Sequence, residues 1–196
     1  MKLLCSLEIL TALALNFKRE RCSRLTHHRR ASDNGRSKRF GLRENIMWNG
    51  KKKAVTFSFD DGVTQDIRLI EIFNKYGLKA TFNINSQLLG KSGSLVRNGK
   101  QVDHIRIAAS ELAKTYSGHE VAAHTLTHPN LTSLSGATTE DKKAAIAKQI
   151  NDVDNWLLAN VKGAKKTTVL RPPFLAMSGT AYDALRESTN IKACVG

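Results

Sequence analysis

No run of this sequence reaches the ~20 uninterrupted apolar residues that a membrane-spanning helix requires. The nearest approach, MKLLCSLEILTALALNF, is broken by Glu8. Its basic start and apolar stretch have the outline of a secretory signal, but no small-x-small cleavage site precedes Lys18. Cysteine is scarce: Cys5, Cys22 and Cys194 are odd in number, widely spaced and form no CxxC, which supports neither a disulfide framework nor a zinc ribbon. With only three prolines and 41% hydrophobic residues, the chain is neither collagen-like nor a proline-rich disordered segment. Acid is the minority charge, 17 Asp and Glu against 31 Lys and Arg. After residue 46 nothing interleaves those cations with aromatics as a single-strand-binding groove does.

What is present divides in two. Residues 1–46 hold 11 Lys and Arg against 4 Asp and Glu, and residues 47–196 hold 20 against 13, so each segment carries +7. The span KRERCSRLTHHRRASDNGRSKRFGLREN is poor in large apolar residues and rich in like charge, so a basic, disordered N-terminal tail is expected over 1–46. His27 and His28 within it read as solvated side chains. No nucleic-acid partner is expected, the alternative being a nucleic-acid-binding protein acting through this basic tail, which could also meet anionic lipid. Alternatively, Met47 is the biological start. Residues 47–196 are long enough for one well-buried domain.

Within that domain, apolar runs alternate with amphipathic ones. AVTFSF (54–59) and KATFNI (79–84) read as buried strands of a mainly parallel sheet. Between them TQDIRLIEIFNKYGL places Ile67, Ile70, Ile72 and Phe73 on a helical stripe, with Thr64 as N-cap and Gly77 as stop. The pattern then predicts a helix over 105–116, a strand over 120–125 and a long helix opened by Thr138 with Asp141 three residues on. Ala145, Ile146, Ile150, Val153, Trp156 and Leu157 should form the buried face of that helix. A strand over 167–174, a short helix over AYDALRES and the start of a fifth strand at IKACV complete the series. Five strands alternating with helices indicate an α/β sheet or a (β/α) barrel.

In such folds chemistry gathers at the carboxyl ends of the strands, and three polar clusters fall there. They are Asp60-Asp61-Gly62, the HTLTH run from His124 to His128, and Arg171-Pro172-Pro173-Phe174. Adjacent carboxylates after an apolar strand need a compensating cation or Arg. Two histidines four apart share one side of a helical turn and can share an ion. One Asp with His124 and His128 makes three protein ligands and leaves a coordination position open, with the other Asp free to take a proton from water. Each cluster alone has an ordinary reading: DDG as a turn, HxxxH as helix surface, Arg before Pro-Pro as a strand terminus. Only their joint placement on one face selects the metal reading. HTLTH also lacks the Glu after its first His that a zincin carries.

TFSFDDG, HTLTHP and RPPF, in this order and spacing over residues 54 to about 195, resemble the first three motifs of the polysaccharide deacetylase family, also called the NodB-homology domain. The resemblance implies a distorted (β/α) barrel and metal-assisted hydrolysis of N- or O-acetyl groups on a glycan such as chitooligosaccharide, peptidoglycan or xylan. It implies Asp60 as general base, Asp61, His124 and His128 as ligands of a divalent metal, and Arg171 as the partner of Asp60. Pro173 and Phe174 would wall the acetyl pocket, and a backbone N–H near Phe174 would help hold the oxyanion. Zinc is the metal expected, with cobalt, nickel and iron also compatible with this ligation. The family's fourth motif, and the fifth that supplies a general-acid histidine, would lie beyond Gly196. The barrel is therefore expected to be incomplete at its C-terminus, and a weakly active or inactive metal- or glycan-binding remnant is the alternative. His104 and His119 do not occupy the late position, and His119 reads as a surface residue. The family resemblance points to secretion or the cell envelope, while the poor signal segment leaves a cytoplasmic location open. The sequence is silent on oligomeric state.

Overall fold

The computed structural model describes residues 54–195. The expected disorder of residues 1–46, the solvated His27 and His28, and the boundary after residue 46 lie outside the described residues. Among the described residues no helix is long and apolar enough to cross a membrane. The elements run β1 (Ser58–Asp60), α1 (Gln65–Lys75), β2 (Thr81–Ile84), β3 (Ser94–Arg97), β4 (Lys100–Asp103), α2 (Ala109–Thr115), β5 (Glu120–Ala123), α3 (Thr139–Asn160), β6 (Val169–Leu170), α4 (Gly179–Ser188) and β7 (Ala193–Cys194).

Strands β1, β2 and β5 form a parallel sheet in that order, with Phe59 beside Phe82 and Phe82 beside Val121. Strands β6 and β7 form a second parallel pair. No ladder joins the two sheets; a side-chain seam replaces it. Thr167 Oγ1 accepts the Ala123 N–H at 2.8 Å and donates to Asp154 Oδ1 at 2.6 Å, while the Thr167 N–H also donates to the Asp154 carboxylate. Both side chains are buried, so each polar atom there has to find its partner within the protein. The expected α/β, barrel-like order of parallel strands and crossover helices is present.

The core lies between the strands and the helices, with Phe82, Ile84, Leu112, Ile146, Ile150, Val153 and Leu157 sealed from solvent. Burying each such side chain contributes about 1.5–3 kcal/mol before entropy is counted. Helix α3 starts where expected: Thr138 Oγ1 accepts the Asp141 N–H, and the Asp141 carboxylate accepts the Thr138 N–H. Its buried face is Ile146, Ala147, Ile150, Val153, Asp154 and Leu157, with Trp156 only partly covered.

Several expectations change, among them the strand over 167–174, which shrinks to Val169–Leu170 ahead of a helical turn at Pro173–Leu175. Residues 54–57 are not strand, and β1 is a half-exposed edge, with Val55 78% exposed. In α1 Ile67 faces solvent, and the inward position one residue earlier belongs to Asp66, a carboxylate that the hydroxyl of Tyr116 makes tolerable. Thr64 precedes α1 but makes no side-chain cap bond. Residues 105–108 are extended rather than helical, and ahead of them lies an unforeseen antiparallel hairpin, β3–β4, turned by Asn98 and Gly99 at φ 52° and 72°. Two positive φ values at a two-residue turn match the right-handed twist of the flanking strands.

Candidate active site

The chain leaves β1 through a tight turn in which Asp61 and Gly62 both adopt positive φ, 77° and 63°. A Cβ on Gly62 would stand 2.9 Å from Ile84 Cδ1, so together with its positive φ the turn favours glycine. Residues 104–107 run alongside: Thr64 N–H donates to Ile105 O at 2.8 Å and Ile107 N–H to Gly62 O at 2.9 Å. Because the backbone reverses between the two acids, their side chains address different partners. Asp60 Oδ1 accepts from Asn83 Nδ2 at 2.9 Å, and its Oδ2 lies 2.8 Å from Arg171 Nε. That N–H is not aligned for a hydrogen bond, so the Arg171 contact is an ion pair. Asp61 turns the other way, Oδ2 at 3.0 Å from His104 Nε2 and Oδ1 at 3.5 Å from His128 Nε2 and 4.0 Å from His124 Nε2.

The two histidines converge, but not by helical periodicity. His124 follows β5 directly, and Thr125 and His128 take φ of 72° and 58°, folding the run into a loop. Local bonds hold it there. Asn85 Nδ2 donates to Thr125 O at 3.1 Å, Gln149 Oε1 accepts the Leu126 N–H at 3.0 Å, and Thr125 Oγ1 accepts the His128 N–H at 3.1 Å. His124 is 2% exposed, and its Nδ1 lies 2.6 Å from Arg171 O. A carbonyl can only accept, so Nδ1 carries the proton and Nε2 presents its lone pair to Asp61. Burial holds the His124 imidazole below its ordinary pKa, against the opposing pull of Asp60 and Asp61, and so favours this neutral form.

Asp61, His124 and His128 each offer one ligand atom, all within 4.8 Å of one another. Asp61 Oδ1 is buried without a hydrogen-bond partner. An orphaned carboxylate oxygen facing two imidazoles fits a divalent cation of N/O preference. Around this cluster opens a cleft of about 760 Å³, walled by Leu95, Arg97, Val102 and Asp103 of the hairpin on one side and Pro172, Phe174 and Leu175 on the other. Phe174 is exposed to the cleft at φ 58° and packs edge-on against His128, 4.9 Å between ring centres. Pro173 is buried and does not line the cleft; Pro172 does.

Sequence reasoning missed His104, Arg106 and Asn83. His104 and Arg106 both reach Asp61, the latter with Nη2 3.6 Å from Oδ1, and the signal available was their i, i+2 spacing, had 104–107 been read as extended. Asn83 lies on β2 beside Asp60. His119 is not a free surface residue. Its Nδ1 accepts the Ala80 N–H at 3.2 Å, and its ring packs edge-on against Phe73 and Phe82.

A profile of the family described as polysaccharide deacetylase matches residues 48–190. A probable peptidoglycan-N-acetylglucosamine deacetylase of Arthroderma benhamiae is 29% identical over 129 residues, which cover 65% of this chain and 25% of that protein. Among solved structures, a deacetylase of Streptococcus pyogenes in complex with acetate superposes at a TM-score of 0.55 and 20% identity, covering 71% of this chain and 55% of that one. A family 4 carbohydrate esterase pseudoenzyme from Bacillus anthracis superposes at 0.53 and 19%, covering 74% and 43%. The chain thus spans a quarter of the fungal relative's length and about half of each structure. The two structural likenesses show a shared fold.

Proposed function

This chain belongs to the polysaccharide deacetylase family, and on that premise we propose that its cleft hydrolyses acetyl groups on a glycan, with Asp61, His124 and His128 holding a divalent cation, zinc above others, and Asp60 acting as base. One observation carries the proposal: the buried Oδ1 of Asp61, which accepts no hydrogen bond, faces two imidazole nitrogens, while the neighbouring Asp60 is turned away and held separately. A cation bound there supplies Lewis-acid polarisation of the acetyl carbonyl and acidifies water.

The chain's own groups do the rest. Asp60 accepts the proton of the attacking water at a carboxylate oxygen, and the pair of contacts from Asn83 and Arg171 fixes which way that carboxylate points. The carbonyl of Arg171 keeps the His124 proton on Nδ1. Pro172, Phe174 and Leu175, which line the cleft, would pack against the acetyl methyl. In the turn at Pro173–Leu175, the N–H groups of Leu175 and Ala176 already donate to Pro172 O and Pro173 O. The N–H of Phe174 is the donor we assign to the developing oxyanion. A glycan chain would lie along the cleft between the hairpin and Phe174.

The test is acetate release from chitooligosaccharide, peptidoglycan fragments and acetylated xylan, with added zinc or cobalt. Asp60→Asn should lower the rate by about 10²–10⁴ while leaving cation binding in place. Cation uptake with no acetate from any of the three glycans would replace this reading with that of a binding remnant. No cation uptake at all would remove the metal site.

A further inference from the structure

Residues 104–107 meet the Asp61 turn as an extended segment. His104 N–H donates to Gly93 O at 2.8 Å, Arg106 N–H to Lys91 O at 3.0 Å, and Arg106 bridges Val63 antiparallel. Alternation along an extended chain puts residues 104 and 106 on one face, and that face is turned to Asp61. His104 Nε2 stands 3.0 Å from Oδ2, and Arg106 Nη2 stands 3.6 Å from Oδ1. All three side chains are largely covered, at 16%, 13% and 17% exposure for His104, Arg106 and Asp61. His104 is not one of the group whose ligand atoms gather within 4.8 Å. Its contact is with Oδ2 of Asp61, whereas His124 and His128 contact Oδ1.

We propose that His104 is a positioning residue for the cation site: its Nε2–H holds Oδ2 of Asp61, so that Oδ1 alone is presented to the ion alongside His124 and His128. The inference rests on the metal reading above. A carboxylate on a turn with positive φ can rotate about χ2 and exchange its oxygens; a donor fixed by two strand-like backbone bonds removes that freedom. The ligand is then preorganised before the ion arrives, and outer partners of this kind influence affinity by about 10–100-fold.

The measurement is cobalt(II) and zinc binding to the full chain, by calorimetry and by the visible absorption of the cobalt-loaded protein. His104→Ala should weaken binding about 10–100-fold without changing the position or intensity of the cobalt bands. His104→Gln, which offers an amide N–H at similar reach, should restore affinity to within about threefold of the wild type. Binding by His104→Ala as tight as wild type overturns the inference and leaves the metal site standing. Altered cobalt bands in His104→Ala, with no rescue by Gln, also overturn it, because His104 would then be a ligand itself. If His104→Ala fails to fold by circular dichroism, His104→Gln decides alone: near-wild-type affinity supports the role, and a loss of tenfold or more refutes it. A wild-type chain that takes up neither ion removes the proposed site and this inference together.

Discussion

Asp66 presses its carboxylate against the hydroxyl of Tyr116 at 2.7 Å, with 4% of the residue exposed. Burial pushes its pKa from 3.8 up to about 6, opposed by the Tyr116 hydrogen bond, and burial likewise pushes the Tyr116 phenol up. The folded state therefore holds the Asp66 proton more tightly than the unfolded chain does. The stability this gives is complete below the unfolded pKa near 3.8 and is lost as pH rises through about 6. Two pKa units correspond to roughly 3 kcal/mol, so Asp66→Asn, which keeps an acceptor for Tyr116, should be more stable than wild type by about 1–3 kcal/mol at pH 7.5. The difference should vanish near pH 4 in urea titrations at a series of pH values. Equal urea midpoints at pH 7.5 would show that the charge is accommodated after all. Periodicity placed Ile67 where Asp66 sits, because an apolar scale cannot see that a distant tyrosine waits for a carboxylate. The reverse holds for Asp60, Asp61, His124, His128 and Arg171. They sit in three short motifs that the sequence displays, and the structure brings them together. His104 escaped because its partner is 43 positions away.

Two turns at the level of elements bear different loads. The capping box of α3 is exposed and does not line the cleft, so Thr138→Ala should lower the unfolding free energy by about 1 kcal/mol and leave cation affinity unchanged. Gly62 lies in the turn that aims Asp61. Gly62→Ala should cost about 1–3 kcal/mol through its positive φ and the approach to Ile84, and should weaken cation binding at the same time. Denaturant melts and calorimetric titration of both variants separate the cases; equal cation affinity in both would dissociate the turn from the site. The capping box was readable from Thr138 and Asp141 alone. The β3–β4 hairpin was equally readable from Asn98-Gly99 between short alternating runs, but the apolar residues around 105–112 suggested a longer helix. In fact Leu112 alone of α2 is buried, and the residues ahead of it are drawn into extended pairing with Lys91, Gly93 and the Asp61 turn. The HTLTH run failed as a helix for a related reason. Its backbone partners come from the side chains of Asn85 and Gln149, which no window around 124–128 contains.

Across the whole molecule, ligand binding and folding are linked. On the proposed reading, a cation held by Asp61, His124 and His128 would tie β1 to the loop after β5, so saturating zinc should raise the melting temperature, by the equivalent of about 2.7 kcal/mol at a hundredfold excess over Kd. A chelator should reverse the shift, and Asp61→Ala should show none; an identical rise in Asp61→Ala would locate the ion elsewhere. The parallel order of strands was legible as alternation, whereas the break between β5 and β6 was not, since Thr167 and Asp154 look like ordinary surface polars until they are found buried. Thr167→Val would leave the Ala123 N–H without an acceptor, at about 1–3 kcal/mol. That seam also partitions the cleft: Asp61, His124 and His128 belong to the three-stranded side, Arg171 and Phe174 to the other. The two sides meet at His124, whose Nδ1 lies 2.6 Å from Arg171 O and whose neighbour Ala123 bonds Thr167, so Thr167→Val should raise KM for a glycan and weaken zinc binding together. On the proposed reading the wall for a sugar and the cradle for an ion share His124 and His128 through Arg171 and Phe174, so selection on one would be felt by the other.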